Sequence, residues 1–400
     1  MPNSLLTIDM ITRKGLQILD NNLVLTRNVN RQHDDSFAEQ GAKIGTTLRI
    51  RLPDRALVTD GAALQVQDDN EQFTTLTVSS QKHVGLTFTT AEMTMSLDDF
   101  AERVLKPRIA QLAASIDADV CNVYKGVANS VGTPGTTPAT SLVLLQAMQK
   151  LNEFAAPMSP RYGTVNPAAN AALVEGMKGL FNPVGVISQQ FKNGMMAQGI
   201  LGYDEFNMSQ SLKLHTTGAW GTSITVTSTI STQGASSIGI SFTGASRTWK
   251  QGDVFTVAGV NAVNPQTRES TGSLQQFTVT ADATGSSTAT LSIYPPLYTA
   301  DNALATVDAF PVATAVVTML GSASTSYPQN LAYHKDAFTF ATADLIMPEG
   351  VDKASRQVHN GISMRIVKDY DINNDRLPCR VDVLYGYSTI RPEMACRIWG

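Results

Sequence analysis

The composition of the chain changes abruptly in its second half, and this change constrains the fold more than any other feature. Between Thr216 and Ala323, 34 of 108 residues are Ser or Thr and eight are charged, whereas 16% of the whole chain is charged. Short segments that alternate apolar and polar residues recur there between glycine turns, at 223–227, 254–257, 276–280 and 289–293. Such alternation is typical of half-buried strands. We therefore predict an all-β domain over residues 216–323, inserted within another domain.

A long amphipathic helix is predicted before this stretch, from Ser96 to about residue 130. Apolar residues recur along it at steps of three to five positions, which is the spacing of one helix face. Ser96 and Asp99 resemble a capping box at its start. Pro107 is expected to kink or break the helix, because proline has no amide hydrogen and crowds the preceding turn.

Further regular elements are predicted on both sides of the insertion. Residues 1 to about 40 suggest an extended arm with a helical piece, because their apolar stretches are short and irregular. A second helix is predicted from Ser141 to Phe154, with an apolar face formed by Leu142, Leu145, Met148 and Leu151. After the insertion, strands are predicted at 338–345, 362–367 and 380–387.

An alternating segment that begins near Gly45 predicts a β excursion. Its apolar residues point to one side of a strand and its polar residues to the other: Leu48, Ile50 and Leu52 against Thr47, Arg49 and Arg51. A second β-rich run extends from Phe73 to Phe88, beyond a polar, acidic tip at 65–71. The simplest interpretation is a long two-stranded excursion. Because an isolated two-stranded ribbon is marginal in water, it is expected to rest on something else.

The charged residues of this excursion are the candidate contacts with a neighbouring subunit. They are Arg49, Arg51, Asp68, Asp69 and Glu71. Two arginines on one strand face would offer fixed cations to an acidic neighbour. The alternative is a solvated face, because isolated surface ion pairs contribute only ~0–1 kcal/mol.

A search for catalytic and metal-binding patterns returns no recognisable motif. The phosphate-binding loop, the nucleophile elbow, the zinc-protease helix and the dinucleotide fingerprint are all missing from the sequence. The five histidines never fall at ligand spacing, and the three cysteines are too far apart for a metal pair. We therefore predict that the protein is not an enzyme, with no catalytic residue, cofactor or metal site. The alternative is a hydrolase whose catalytic residues converge only in the fold.

Charge and hydropathy limit the expected partners. A net charge of −4 disfavours a protein that grips nucleic acid through its phosphates. The N-terminal residues do not resemble a signal peptide, so the chain is expected to stay in the cell that makes it. The most apolar run, Ala309 to Leu320, is shorter than the roughly 20 residues that a membrane-spanning helix needs. No specific nucleic acid and no membrane partner are predicted.

The order of these elements and three short passages carry a family resemblance. Gly202-Tyr203-Asp204-Glu205 stands just before the insertion, and residues 252–260 read GDVFTVAGV within it. Near the end, residues 379–387 read CRVDVLYGY and are followed by Arg391-Pro392-Glu393. In this order the passages resemble the major coat proteins of tailed bacteriophages, in the short-tailed branch that carries an inserted domain.

The resemblance implies an α+β chain with the capsid fold that tailed phages share with herpesviruses, plus an all-β inserted domain. The implied domains are an N-terminal arm (1–40), an extended β loop (41–95), a peripheral domain with the spine helix (96–159), a first axial part (160–215), the inserted domain (216–323), a second axial part (324–360) and terminal strands of the peripheral domain (361–400).

The implied function is that of a major capsid protein, which self-assembles into the icosahedral shell around a phage genome. Its partners would be further copies of itself in hexamers and pentamers, a scaffolding protein, a portal and a candidate decoration protein. Asp9 and Asp20 are the acidic arm residues in the region expected to receive a scaffold. The protein would reside in the virion after assembly in the host cytoplasm. The alternatives are another phage structural protein, such as a tail-tube subunit, and a carbohydrate-binding adhesive protein.

Overall fold

The computed structural model of the chain describes residues 8–31, 47–58, 61–62, 66, 71–89, 106–177, 194, 196, 198–374 and 376–400. The α-helices in these ranges are α1 (Ile8–Asn22), α2 (Lys106–Val120), α3 (Ser141–Glu153) and α4 (Pro167–Gly176). Short 3₁₀ helices lie at Cys121–Gly126, Lys335–Ala337 and Pro392–Met394. The strands are β1 (Thr47–Arg51), β2 (Phe73–Thr77), β3 (Ser80–Thr89), β4 (Ser130–Val131), β5 (Arg161–Val165), β6 (Glu205–Met208), β7 (Leu214–Thr216), β8 (Thr222–Val226), β9 (Ala235–Thr243), β10 (Arg247–Trp249), β11 (Val254–Val263), β12 (Ser270–Val279), β13 (Ala283–Gly285), β14 (Thr288–Leu297), β15 (Val317–Met319), β16 (Ser326–His334), β17 (Phe338–Ala343), β18 (Lys353–His359), β19 (Ile362–Lys368), β20 (Arg376–Thr389) and β21 (Ala395–Trp399).

The chain divides into two compact units. The first unit comprises Met1–Ile50, Phe73–Cys121 and Phe338–Ile390, and the second comprises Arg51–Gln72, Asn122–Ala337 and Arg391–Gly400. Helices and antiparallel sheets occur together in both, which confirms the predicted α+β class. The finer domain boundaries given above remain predictions.

The first unit is built on an antiparallel sheet. Its strands run in the order β17, β20, β19, β18, and β3 also pairs with β20. Alternate residues of β19, namely Ile362, Met364 and Ile366, are buried, as the period of a strand with one covered face requires. Helix α1 packs against β18, β19 and α2. Helices therefore cover one face of this sheet.

The predicted arm contains a packed helix. Leu16 and Leu19 of α1 are fully buried. Beyond the helix, the amide and the hydroxyl of Thr26 each donate to the Asp117 carboxylate of α2 at 3.0 Å. Burial raises the pKa of Asp117, and the hydrogen bonds from Thr26 oppose this shift. The segment after α1 is thus fixed to α2 by a buried polar contact.

The long predicted helix is described only in its second half. The described part of this helix, α2, starts at Lys106, and Pro107 is its second residue. The helix ends at Val120 and continues as the 3₁₀ helix Cys121–Gly126. The predicted cap at Ser96 and Asp99 lies outside the described residues.

The predicted two-stranded excursion is present, but it is shorter than predicted because it ends with β2. Strands β1 and β2 form a two-stranded sheet, here called the ribbon. Ile50 and Leu76 are buried on one side of it, as the alternation predicts. The run from Phe73 to Phe88 is not one strand of the excursion, however, because β3 leaves the ribbon and pairs with β20. This pairing joins residues about 300 positions apart, and local alternation carries no information on it.

The second unit contains a sheet with the order β4, β21, β16, β5, β6, and β7 pairs with β16. The predicted helix at Ser141 is confirmed as α3, but its predicted apolar face is wrong in part. Leu144, Ala147, Met148 and Leu151 are buried, whereas Leu142 and Leu145 are 59% and 46% exposed. The predicted face and the buried face both have helical spacing and both contain Met148 and Leu151. The sequence pattern alone therefore does not distinguish them.

Residues 222–319 form a second sheet with the order β15, β11, β12, β14, β9, β8. Its end strands approach each other, because Val226 exchanges hydrogen bonds of 2.9 Å with Ala315 and Thr314, and Thr225 bridges to Val316. A single core fills it, formed by residues such as Trp249, Phe255, Phe277 and Leu291. The four predicted strand segments are confirmed, whereas β9, β10, β13 and β15 correspond to no predicted segment.

Candidate functional site

Three of the five candidate contact residues lie on or beside the ribbon. The guanidinium of Arg49 lies 4.8 Å from the centre of the Phe73 ring. Arg51 forms an ion pair with Glu71 of the same chain at 3.1 Å, and the two side chains are 78% and 57% exposed. Such a pair adds only ~0–1 kcal/mol to stability. Asp68 and Asp69 lie outside the described residues.

A second group of charges surrounds Glu393, in the Arg391-Pro392-Glu393 passage. Arg55 lies 3.6 Å from the Glu393 carboxylate, and the Tyr294 hydroxyl donates to it at 3.2 Å. Burial raises the pKa of Tyr294, and the nearby carboxylate adds to the shift. This group joins the segment after β1 to β14 and to the end of the chain. Arg55 stands in no sequence pattern and was not among the predicted contact residues.

A buried polar junction occupies the interior of the second unit. It consists of Tyr124, His215, Asp253, Thr278 and Arg397. His215 Nε2 lies 2.9 Å from Asp253 Oδ1, and the Tyr124 hydroxyl lies 3.2 Å from His215 Nδ1. Both contacts are satisfied if His215 is protonated on Nε2 and accepts a hydrogen bond from Tyr124. Asp253 also accepts hydrogen bonds from the amides of Lys250 and Gly218, at 2.7 and 3.1 Å.

Arg397 of β21 supplies the cation of the buried polar junction. Its Nε donates to the Val127 carbonyl at 2.7 Å, its Nη1 to the Gly252 carbonyl at 2.7 Å, and its Nη2 to the Thr278 hydroxyl at 2.9 Å. The guanidinium also lies 5.4 Å from the centre of the Tyr124 ring. Burial lowers the pKa of Arg397 to about 10, so the group stays charged at neutral pH.

The Tyr124–His215–Asp253 series has the residue types of a catalytic relay, but its surroundings exclude that role. All three side chains are buried. A general base must lie within hydrogen-bonding reach of a substrate, and protein groups occupy both ring nitrogens of His215. The geometry therefore indicates a structural connection.

Two cysteine thiols among the described residues are also shielded from water, since Cys396 is buried and Cys379 is half-buried. Burial raises the pKa of the Cys379 thiol to about 11 and that of Cys396 to about 12, so both stay protonated at neutral pH. No group of three or more His, Cys, Asp or Glu in the described ranges has an arrangement that could hold a metal ion. No helix within those ranges is both long and apolar enough to cross a membrane.

The fold and these contacts define a structural protein, in which buried and exposed charges hold chain segments together. The chain belongs to the P22 coat protein family, described as gene protein 5, whose model matches residues 3–400. It is 22% identical to the major capsid protein of Acyrthosiphon pisum secondary endosymbiont phage 1, over 98% of this chain and 97% of that protein.

Two solved structures align with most of the chain at low sequence identity. One from Mycobacterium phage Che8 aligns with a TM-score of 0.49 and 11% identity over 94% of this chain and 90% of that one. The capsid structure of cyanophage P-SCSP1u aligns with a TM-score of 0.42 and 11% identity, over 89% and 84% of the two chains.

Family membership settles the general function. The protein is a major capsid protein of a phage and a structural component of the virion, not an enzyme. Its copies assemble into an icosahedral lattice. The resemblance seen in the sequence and the prediction of a shell-forming function are confirmed.

Proposed function

We propose that the ribbon lies over a neighbouring subunit in the shell and that residues 216–323, here called the insertion, form a discrete domain that braces subunits laterally. One observation carries the first part of this proposal. Arg49 and Arg51 stand on the exposed face of a ribbon of two five-residue strands, too small to be stable without support. The exposed pair of Arg51 with Glu71 is weak, so either side chain can exchange its partner for an opposite charge on another copy, with Asp68, Asp69 and Glu71 as the candidate acidic partners.

We further propose the partners that the family resemblance implies. Hexamers and pentamers of the chain would assemble first as a procapsid in the host cytoplasm, with a scaffolding protein and a portal, and a decoration protein could be added later. Asp9 and Asp20, the two residues predicted to receive the scaffold, already have partners within the chain, so their carboxylates are less available to a scaffolding protein. Asp20 pairs with Arg31 at 3.1 Å, and Asp9 accepts a hydrogen bond from Ser355.

Reversing the charges of Arg49 and Arg51 to glutamate should abolish or strongly weaken shell formation while changing monomer stability by less than about 1 kcal/mol. The small effect on the monomer is expected because both side chains are exposed. Shell formation can be followed by sedimentation and negative-stain microscopy, and monomer stability by thermal unfolding.

The matched control is reversal of Lys250 and Asp282 together, which form an exposed ion pair at 3.0 Å within the insertion. This control should assemble normally. If the arginine variant lost monomer stability and the control did not, Arg49 and Arg51 would belong to an intramolecular network, and the proposed contact would be wrong.

The insertion is proposed to be a domain because its hydrophobic core is formed entirely by residues of the insertion. Every buried residue of its apolar cluster lies between Ile224 and Val317. The chain enters and leaves near Leu214 and Ser324, where β7 pairs with β16. A segment of 108 residues is an ordinary size for an independent core.

Residues 216–323 expressed alone should therefore give a dispersed amide spectrum and one cooperative unfolding transition. The excised segment lacks His215 and Arg397, yet the amides of Gly218 and Lys250 remain available to Asp253. A collapsed spectrum without a transition would show that these strands are ordered only by the rest of the chain.

A further inference from the structure

The insertion is attached to the rest of the second unit at more places than its two chain crossings. At the crossings, the Thr217 amide donates to Thr325 and the Ser324 amide donates to Gly218, both at 3.0 Å. Elsewhere, the Gln276 side chain pairs with the Ser130 backbone. It accepts from the Ser130 amide at 2.7 Å and donates to the Ser130 carbonyl at 2.9 Å.

The buried polar junction is the attachment with the strongest energetic consequences. Arg397 belongs to β21, which pairs with β16 and β4 outside the insertion. Two of its three acceptors, Gly252 and Thr278, belong to the insertion. One guanidinium thus joins two parts of the fold through hydrogen bonds that its planar, forked geometry can make at once.

The charges of the buried polar junction depend on each other. The hydrogen bonds of Arg397 go to neutral oxygens, and one of these oxygens, the Gly252 carbonyl, belongs to the residue before the buried carboxylate of Asp253. Asp253 is buried and is held in place by His215 and by backbone amides. A buried charge is costly unless it is compensated, so removing either group leaves the other exposed to that cost.

We infer that Arg397 is a positioning residue: together with Asp253, it fixes the orientation of the insertion relative to β21 and its sheet. The insertion then moves as one body with that sheet and does not turn about the chain crossings. This inference rests on the proposed role of the insertion as a brace, because a brace transmits force only through a stiff attachment.

The test measures the distance between two spin labels in the full-length monomer by pulsed electron paramagnetic resonance. One label replaces Thr290, which is exposed on β14, and the other replaces Leu145, which is exposed on α3. The protein with Arg397 intact should give one narrow distance distribution. Arg397→Met should broaden it and accelerate hydrogen exchange of the β21 amides by at least about 100-fold, because three buried acceptors lose their donor at once.

Arg161→Met is the matched control. Arg161 is a buried arginine of the same unit, and its guanidinium donates to the carbonyls of Pro157 and Ala156 at 2.7 Å, outside the insertion. This variant should be destabilised but should keep the narrow distribution. Equal broadening in both variants, or none in Arg397→Met, would overturn the inference.

A milder variant keeps the inference testable if Arg397→Met does not fold. Thr278→Val removes one acceptor of Arg397, and with it the hydrogen bond from the Thr278 hydroxyl to the Lys125 carbonyl, but it keeps the Arg397 charge and its bonds to Val127 and Gly252, so it should broaden the distribution to a smaller extent. An unchanged distribution in this folded variant would also overturn the inference. Particle formation by the protein with Arg397 intact is scored separately, so failure of the proposed function is distinguishable from failure of the positioning role.

Discussion

Replacing Asp382 with alanine should lower the free energy of unfolding of the first unit by about 3 kcal/mol. The Asp382 carboxylate is fully buried in β20, with Arg365 of β19 at 2.6 Å and Arg380 at 2.5 Å. Removing it leaves Arg365, whose side chain is only 16% exposed, with an uncompensated charge. The effect should stay near the lower end of the range for broken buried pairs, because Arg380 is 48% exposed and can reach water.

Chemical denaturation of the monomer, with hydrogen exchange to localise the loss to β19 and β20, measures this effect. Glu71→Gln is the matched control, since it removes an acid from an exposed pair and should change stability by less than about 1 kcal/mol. Equal, small effects in the two variants would show that the pairs of Asp382 are as weak as surface pairs.

Gly386→Val is expected to destabilise the first unit by about 1–3 kcal/mol and to displace the ribbon, with loss of assembly. Gly386 lies where the chain between β2 and β3 crosses β20. A Cβ atom at this position would collide with the carbonyl oxygen of Thr77 and lie 2.9 Å from Val78 Cα. Both obstacles are backbone atoms, so no side-chain rotation relieves the clash.

Gly85→Val provides the comparison on the neighbouring strand. Gly85 lies on β3 opposite Arg380, and a Cβ atom there meets no other atom within 4 Å. This variant should fold and assemble like the unsubstituted protein. Normal melting and normal particles from Gly386→Val as well would mean that the ribbon does not depend on the close approach at Gly386.

Sequence patterns predicted the local structure well for strands that have one buried face and one exposed face. The alternation around Ile50 predicted the ribbon strand, and the alternating segments of the insertion predicted four of its strands. The composition change at Thr216 pointed to the β-rich sheet. Each of these signals is local, because a strand with one buried face must repeat every two residues.

The remaining features depend on contacts between distant residues. β3 and β20 pair across about 300 residues, and the two possible faces of α3 could not be separated by spacing alone. β21 was missed because its burial is continuous and gives no alternation.

The buried polar junction was missed for a related reason. Tyr124, His215, Asp253 and Arg397 are separated by dozens of residues, and each resembles an ordinary polar residue in its own segment. The one available signal is a charged residue inside an apolar strand, Arg397 in ACRIW. Buried cations are rare without partners, so such a residue predicts a distant acceptor without identifying it.

The first strand of the insertion pairs with the segment that precedes its last strand, and this pairing matters where many copies are crowded together. An open sheet presents a row of unpaired amides and carbonyls, which can add strands from other molecules. In the insertion, Val226 of β8 already exchanges hydrogen bonds with residues 314 and 315, next to β15. When many copies are concentrated on one surface, strand-to-strand polymerisation would compete with the ordered lattice. Because Val226 already pairs with residues of its own chain, this part of the sheet edge offers fewer free amides and carbonyls for such pairing.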